Sequence, residues 1–483
     1  MKIPQILLPI FVAVLTAQAV EQPNLLIIHT DEHNFRTLGA YRELLTEDQA
    51  YIWGEGVKVE TPHIDRIAHE GAICTSYYAT SPVCTPSRAS IMTGLYPQVT
   101  GAPKNNRPMN DEVVTFAEVL RRNGYATSYV GKWHLDGDEK PGFEPARKFG
   151  FEDNRYMFNR GHWKLFHDAE HGPELIGEYN TKKESYKYDI HAADETSFAT
   201  DFLVDRTLEI IDRDKSKPFC VMLSLPDPHG PNTVRAPYDT MYTHFKYEDP
   251  RTMRAGLASN PKLPGWAKIA GKNTNTKLNQ NLMAQYFGMV KCIDDNVGKI
   301  LKYLEDEGLS ENTIVVFTSD HGDLMGEHCR DNKGLPYETS AGIAFMIRYP
   351  GTIPAGKIVN KANTNADFAP TVLSLMGVTE GWPEFHGQDL SDDYTSADSI
   401  VDDDRVVYLR NANGAWLAAV SDRYKLVYSY ADSPWLFDLE KDPDELINFY
   451  SNPEYAPIAK KLTEALLKQA KAFKEPKVNL IKR

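Results

Sequence analysis

The amino-acid sequence predicts an α/β protein built on a largely parallel sheet, and three observations carry that prediction. Apolar runs of strand length alternate with amphipathic helices up to about residue 385. Four of those runs end in charged or imidazole residues, the position at which open parallel sheets gather their ligands. The chain has 483 residues, enough for one large domain and a smaller one.

The elements follow in chain order. Residues 1–19 read as a secretory signal, with Lys2 as the positive start, a short apolar run from Ile6 to Leu15 and an A-x-A cleavage site at Ala17-Gln18-Ala19. The mature chain is then expected to begin near Val20, in the periplasm or outside the cell. The apolar run is short for a bilayer span, and no other transmembrane segment is visible. The uninterrupted apolar run 24–29 predicts a strand buried on both faces. Thr61-Pro62 opens a helix with Ile64, Ile67 and Ala68 on one face and Gly71 at its close. Thr115 and Glu118 have capping-box spacing and start a helix that ends at Gly124. Strands are expected at 125–130 and 218–225. A long helix follows, with Val290, Ile293, Val297, Ile300, Leu301 and Leu304 on one stripe and Gly308 at its end. Further strands are expected at 313–318 and 343–348.

Residues 20–385 are therefore assigned to the α/β domain. Beyond them the texture changes. The runs 415–420 and 424–430 read as neighbouring strands, and 455–473 as a closing helix with Ile458, Leu462, Leu466 and Ala470 on one side. Residues 386–483 are read as a small α+β C-terminal unit. The stretches 151–190 and 240–278 lack clean periodicity and read as aromatic- and charge-rich insertions, and no internal repeat is found.

Composition narrows the function. Hydrophobic residues make up 42% and charged residues 25%, an ordinary globular balance. The formal net charge of -14 argues against nonspecific binding to nucleic acid or anionic membrane. A local cationic pocket for an anionic substrate is still compatible with it. The five cysteines, Cys74, Cys84, Cys220, Cys292 and Cys329, show no zinc-like spacing and no CxxC. In an exported protein the odd count leaves at least one thiol unpaired or modified.

The chemistry gathers at four strand ends: Asp31-Glu32-His33, Gly131-Lys132-Trp133-His134, Asp227-Pro228-His229 and Asp320-His321-Gly322-Asp323. Each alone is weak, and their coincidence on one side of a parallel sheet is the strongest signal in the chain. Acidic oxygens there suit a hard divalent cation. Taken alone, Cys84 would read as a buried or disulfide-bonded thiol.

Its surroundings change that reading. Ser81-Pro82-Val83-Cys84-Thr85-Pro86-Ser87-Arg88 resembles the C-x-P-S-R motif of the formylglycine-dependent sulfatases. Gly131-Lys132-Trp133-His134, Asp320-His321-Gly322-Asp323, Lys333-Gly334-Leu335-Pro336-Tyr337-Glu338 and the segment from Trp435 to Pro443 resemble that family's later blocks, in order, over almost the whole mature chain. The resemblance implies an alkaline-phosphatase-like fold. It also implies that a formylglycine-generating or sulfatase-maturing enzyme oxidises Cys84 to formylglycine (3-oxoalanine). The hydrated aldehyde would attack sulfur with one oxygen and release sulfate with the other. By the same resemblance, Asp31, Glu32, Asp320 and His321 hold calcium together with residue 84. The family often has Asp where Glu32 stands and Asn where His321 stands. Imidazole is softer than calcium usually favours, so magnesium or manganese also fit. Arg88 would hold the diol with its planar fork, and Lys132 and Lys333 would clamp the sulfate. His134 resembles the base and His229 the acid that protonates the leaving alcohol.

Asp323, Glu327 and His328 read as structural or supporting residues beside the metal block. Arg160, His162, Trp163 and Lys164 either grip a sulfated sugar or pack the insertion on itself. The expected substrate is a sulfated oligosaccharide or polysaccharide, for example an algal glycan such as ulvan, or an animal glycan. Two alternatives stand beside it: a phosphonate or phosphate ester hydrolase on the same scaffold, and a non-catalytic glycan-binding protein whose Cys84 is never oxidised.

Overall fold

A computed structural model of the chain describes residues 22–180, 185–187, 189–253, 263–269, 276–397 and 405–482. The signal sequence read at 1–19, with the expected mature start at Val20, lies outside the described residues.

The first strand, β1 (Asn24–Asp31), lies in an eight-stranded sheet. The others are β2 (Ala72–Cys74), β3 (Ala126–Lys132), β4 (Asp153–Phe158), β5 (Phe219–Pro228), β6 (Thr313–Ser319), β7 (Phe345–Arg348) and β8 (Lys357–Val359). Across the sheet the order is β8-β2-β7-β6-β1-β5-β3-β4. The pairs β6/β1, β1/β5, β5/β3 and β3/β4 are parallel, and β7 runs antiparallel to both its neighbours. The expected largely parallel sheet is thus present, with one reversed strand.

Burial on both faces explains the uninterrupted apolar runs. In β1, Leu25 and Ile27 face one core, and Leu26 and Ile28 face the other, all fully buried. The first core is closed by helices α1 (Cys84–Thr93) and α2 (Phe116–Arg122), the second by α3 (Pro62–His69), α4 (Ala199–Asp214) and α5 (Gln280–Asp306). Helix α2 begins as its sequence suggests, because Thr115 Oγ1 accepts from the Glu118 backbone N at 3.1 Å. The return arm of the capping box is absent, since the Glu118 carboxylate pairs with Arg121 and Arg122 instead.

The stretch 151–190 is more ordered than its sequence indicates. Asp153–Phe158 is the edge strand β4 of the central sheet. It is only six residues long, and its outward–inward alternation stops halfway because its last three residues are all buried. A register shift in its pairing with β3 breaks the pattern further. The described part of 240–278 packs inward, with Tyr242, Tyr247 and Met253 against Met283 and Phe287 of α5.

Beyond Val407 a four-stranded antiparallel sheet, β9 (Val407–Arg410), β10 (Trp416–Val420), β11 (Tyr424–Ser429) and β12 (Trp435–Asp438), is covered by α6 (Ala456–Ala472) through Leu462, Leu466 and Ala470. Among the described residues, no helix is long and apolar enough to cross a membrane.

Candidate active site

Four neighbouring strands deliver the functional side chains to one end of the sheet. Asp31 is the last residue of β1 and Lys132 the last of β3, Asp320 directly follows β6, and Asp227 is the next-to-last residue of β5. The close approach of β3 to β5 depends on Gly131. Its φ is +102°, and a Cβ there would lie 2.0 Å from the Ser224 carbonyl oxygen.

Cys84 opens helix α1, and Arg88 sits one turn later, so both face the strand ends. The Arg88 fork joins two of those ends. Its Nε donates to Asp320 Oδ2 at 3.0 Å and its Nη2 to Asp31 Oδ2 at 3.1 Å. Nη1 donates to the Lys132 carbonyl and to Ser224 Oγ, both at 2.7 Å. Arg88 therefore holds the two aspartates in register with the start of helix α1. All of this is buried, with Asp31, Lys132 and Asp320 at zero exposure.

Among the ligand-type atoms, one each from Asp31, Cys84, Asp320 and His321 lie within 4.8 Å of one another. Cys84 Sγ is 3.2 Å from His321 Nε2 and 3.8 Å from Asp31 Oδ1, and His321 Nε2 is 3.4 Å from Asp320 Oδ1. The Oδ2 atoms of both aspartates serve Arg88, which leaves their Oδ1 atoms facing the centre. Burial alone would lower His321, but Asp320 and Cys84 together outweigh it and raise the imidazole to about 9. The donor set fits a divalent cation. Glu32 lies outside this four-atom group. Its Oε2 pairs with His229 Nε2 at 2.8 Å and Lys333 Nζ at 3.0 Å, while Oε1 is buried without a hydrogen-bond partner among the described residues. An orphaned carboxylate oxygen beside the cluster adds to the fit, as a cation would satisfy it.

The cations converge on residue 84. Lys132 Nζ pairs with Asp31, and Lys333 Nζ lies 2.8 Å from His229 Nε2. Burial and Asp31 push the Cys84 thiol up, but Lys333, Lys132 and His321 outweigh them and hold it well below the ordinary thiol range. His134 has a left-handed backbone, φ 60°, fixed by its N–H on the Asn159 carbonyl at 2.6 Å and by Thr85 Oγ1 on its own carbonyl at 3.0 Å. Its Nε2 lies 3.2 Å from Asn106 Oδ1. Burial lowers the imidazole, partly offset by the neighbouring Cys84. Seven expected residues (Cys84, Arg88, Lys132, His134, Asp31, Asp320 and His321) thus meet in one buried centre, and His229, Lys333 and Glu32 form a bonded trio at its rim.

The segment 160–164 divides. His162 Nε2 lies 2.6 Å from Lys132 Nζ, and Lys164 ion-pairs with Asp227. Arg160 donates to the Asp138 carbonyl at 3.3 Å, and Trp163 packs inward. Asp31, His162 and His229 form a second group with metal-ligand spacing. The Lys132 and Lys333 ammoniums already sit against its nitrogens, which makes it a poor cation site. Asn105 and Asn106, which brace Thr85 and His134, gave no signal in the sequence because polar residues of that kind are common in loops, and Ser224, which accepts from Arg88, is a single small polar residue inside the apolar run of β5. Glu327 pairs with Arg36 at 3.0 Å, His328 stacks on Tyr337, and Asp323 accepts from the backbone N of Met325 and Asn332, so all three support the site from outside. All five cysteines are buried free thiols.

Comparison with known proteins gives the family. The sulfatase family profile matches residues 23–378, and a profile described as N-sulphoglucosamine sulphohydrolase, C-terminal, matches 326–472. The chain is 27% identical to an N-acetylglucosamine-6-O-sulfatase of Bacteroides thetaiotaomicron, over 95% of this chain and 88% of that one. It is 28% identical to an ulvan-active sulfatase of Formosa agariphila, over 93% and 81%. The solved phosphonate monoester hydrolase of Agrobacterium radiobacter shares the fold, with a TM-score of 0.69 at 22% identity over 93% of this chain and 96% of that one. The α/β sheet, the C-x-P-S-R helix and the strand-end cluster have one common account: the chain belongs to the sulfatase family, with its alkaline-phosphatase-like fold, and is a sulfuric ester hydrolase.

Proposed function

We propose that this enzyme removes sulfate from a sulfated carbohydrate, using a formylglycine made from Cys84 and a divalent cation, calcium first among the candidates. The observation that carries the reading is the environment of Cys84. A helix-start thiol is enclosed by Lys132, Lys333 and His134 and faces two aspartate oxygens and an imidazole. Once a maturing enzyme has oxidised Cys84, the hydrated aldehyde supplies the oxygen that attacks sulfur. The cation would be held by Asp31, Asp320, His321 and residue 84, with Glu32 Oε1 at its side, and would supply positive charge against the sulfate oxygens.

The chain's own groups do the rest. Lys132 and Lys333 offset the charge of the ester. His134, kept neutral by burial, accepts a proton from residue 84. His229 donates through Nδ1 to the Gly230 carbonyl at 2.8 Å, which turns its Nε2, beside Glu32 and Lys333, toward the leaving alcohol. A cavity of about 450 Å³ opens beside Glu32 and His229, bounded by Asn232, Leu282, Asp323 and Asn332, and gives that alcohol room. The carbohydrate assignment rests on the names of the relatives, an N-acetylglucosamine-6-O-sulfatase and an ulvan-active sulfatase. The sequence at 1–19 supports export to the periplasm or beyond.

The test is desulfation of a panel of defined sulfated oligosaccharides, run beside an aryl sulfate and an aryl phosphonate ester. Turnover of at least one sugar sulfate, faster than the phosphonate, supports the proposal. Faster phosphonate turnover would transfer the chain to the phosphonate hydrolase reading.

A further inference from the structure

His162, expected either to grip a sulfated sugar or to pack its insertion, lies against two side chains of the site, Lys132 and His229. Its ring is stacked on that of His229, with centroids 3.5 Å apart and planes 7° from parallel. Its Nε2 is 2.6 Å from Lys132 Nζ and 3.8 Å from Asp31 Oδ2. An ammonium carries only donors, so Nε2 of His162 is the acceptor and its proton sits on Nδ1. One side chain therefore touches both the clamp lysine and the imidazole that faces the leaving group.

This placement is built rather than incidental. Gly161 has φ +118°, and a Cβ there would lie 2.4 Å from the Trp163 ring, so the chain turns sharply at that point. Trp163, 5% exposed, anchors the chain directly after His162. Lys164 anchors it one residue further on, fully buried, ion-paired with Asp227 and donating to the His229 carbonyl at 3.3 Å. Thr200 Oγ1 holds the second Asp227 oxygen at 2.8 Å. His229 is thereby held at its backbone by Lys164 and at its ring by His162.

We propose that His162 is a positioning residue of this site, whose ring face sets the plane of the His229 imidazole and whose Nε2 fixes the Lys132 ammonium. The proposal rests on the sulfatase reading above. The two functions separate by mutation. His162→Phe keeps a ring over His229 and removes the acceptor for Lys132. His162→Gln keeps an acceptor and removes the ring.

The experiment uses the matured, metal-loaded enzyme and compares each variant with the parent on an activated aryl sulfate and on a sugar sulfate. Inhibition by inorganic sulfate and melting temperature are recorded alongside. His162→Phe is expected to weaken inorganic sulfate inhibition and raise KM on both substrates by about tenfold, with their rate ratio unchanged. His162→Gln is expected to lower kcat for the sugar sulfate about tenfold more than for the aryl sulfate, with sulfate inhibition near the parent's. Variants within about twofold of the parent in every readout, or equal losses on both substrates in His162→Gln alongside a lowered melting temperature, would overturn the proposal and leave His162 a packing residue. A parent that turns over no sulfate ester at all would instead defeat the functional reading beneath it.

Discussion

The indole nitrogen of Trp416 donates to the carbonyl of Gly334 at 3.1 Å, and through that bond the C-terminal sheet holds the residue next to Lys333. Asn411 Nδ2 reaches the same carbonyl, also at 3.1 Å. The small C-terminal unit is therefore part of the active-site scaffold. Trp416→Phe keeps a buried aromatic ring, smaller than the indole, and removes one hydrogen bond, itself a loss of about 1 kcal/mol. The expected result is a several-fold drop in kcat/KM with a small fall in melting temperature. An unchanged kcat/KM would show that Lys333 is placed without help from β10.

Arg88 is expected to tolerate no conservative exchange. Its fork spans Asp31 and Asp320 while also serving the Lys132 carbonyl and Ser224, which a single ammonium cannot reproduce. Arg88→Lys leaves buried carboxylate oxygens short of partners, at a cost of about 3–5 kcal/mol. Activity should fall by more than about 100-fold and the melting temperature should drop clearly. Wild-type stability in this variant would mean that the two aspartates are held by other groups.

Much of this was legible in the sequence, and the reasons are specific. Strands such as β1 are buried on both faces, so their apolar runs are unbroken and their ends can be located to within a few residues. The residues at or just past those ends inherit their position from the sheet, which is why Asp31, Lys132, His229 and Asp320 group together from the sequence alone. Edge strand β4 was not legible, because six half-alternating residues beside a register shift carry too little pattern. The stacking of His162 on His229 was also hidden. It depends on the turn at Gly161 and on the Lys164–Asp227 pair, contacts set by tertiary packing between residues far apart in the chain.

Removal of divalent cations should destabilise the protein as well as stop turnover. Asp31 and Asp320 converge with Cys84 and His321, and a bound cation stabilises the folded state by mass action. Chelation is expected to lower the melting temperature, with calcium restoring it better than magnesium or manganese. Asp320→Asn should shrink that difference. A melting temperature indifferent to exhaustive chelation would contradict the cation site.

Acid should destabilise the fold through buried neutral imidazoles. His328 is buried against Tyr337, and burial, aided by Lys425, lowers its pKa from 6.5 to about 3. The unfolded chain takes up that proton near pH 6.5 and the folded chain does not. The stability contributed by neutral His328 is therefore full above pH 6.5 and is lost as pH falls toward about 3, at about 1.4 kcal/mol per pH unit. His328 has φ 51°, which Asn tolerates, so His328→Asn is the suitable variant. The difference in melting temperature between pH 7 and about pH 5 should be narrower in the variant than in the parent. Equal differences would mean that His328 does not stay neutral in the fold.

The most direct test of the account joins mass to activity at Cys84. The protein is produced with and without a sulfatase-maturing enzyme, the peptide containing residue 84 is weighed, and aryl sulfate turnover is measured on the same samples and on Cys84→Ala. The account predicts that turnover rises in proportion to the fraction of peptide whose mass matches replacement of the CH2SH group by CHO, and that Cys84→Ala folds but is inactive. Full turnover by protein that retains the Cys84 thiol, or by Cys84→Ala, would contradict it.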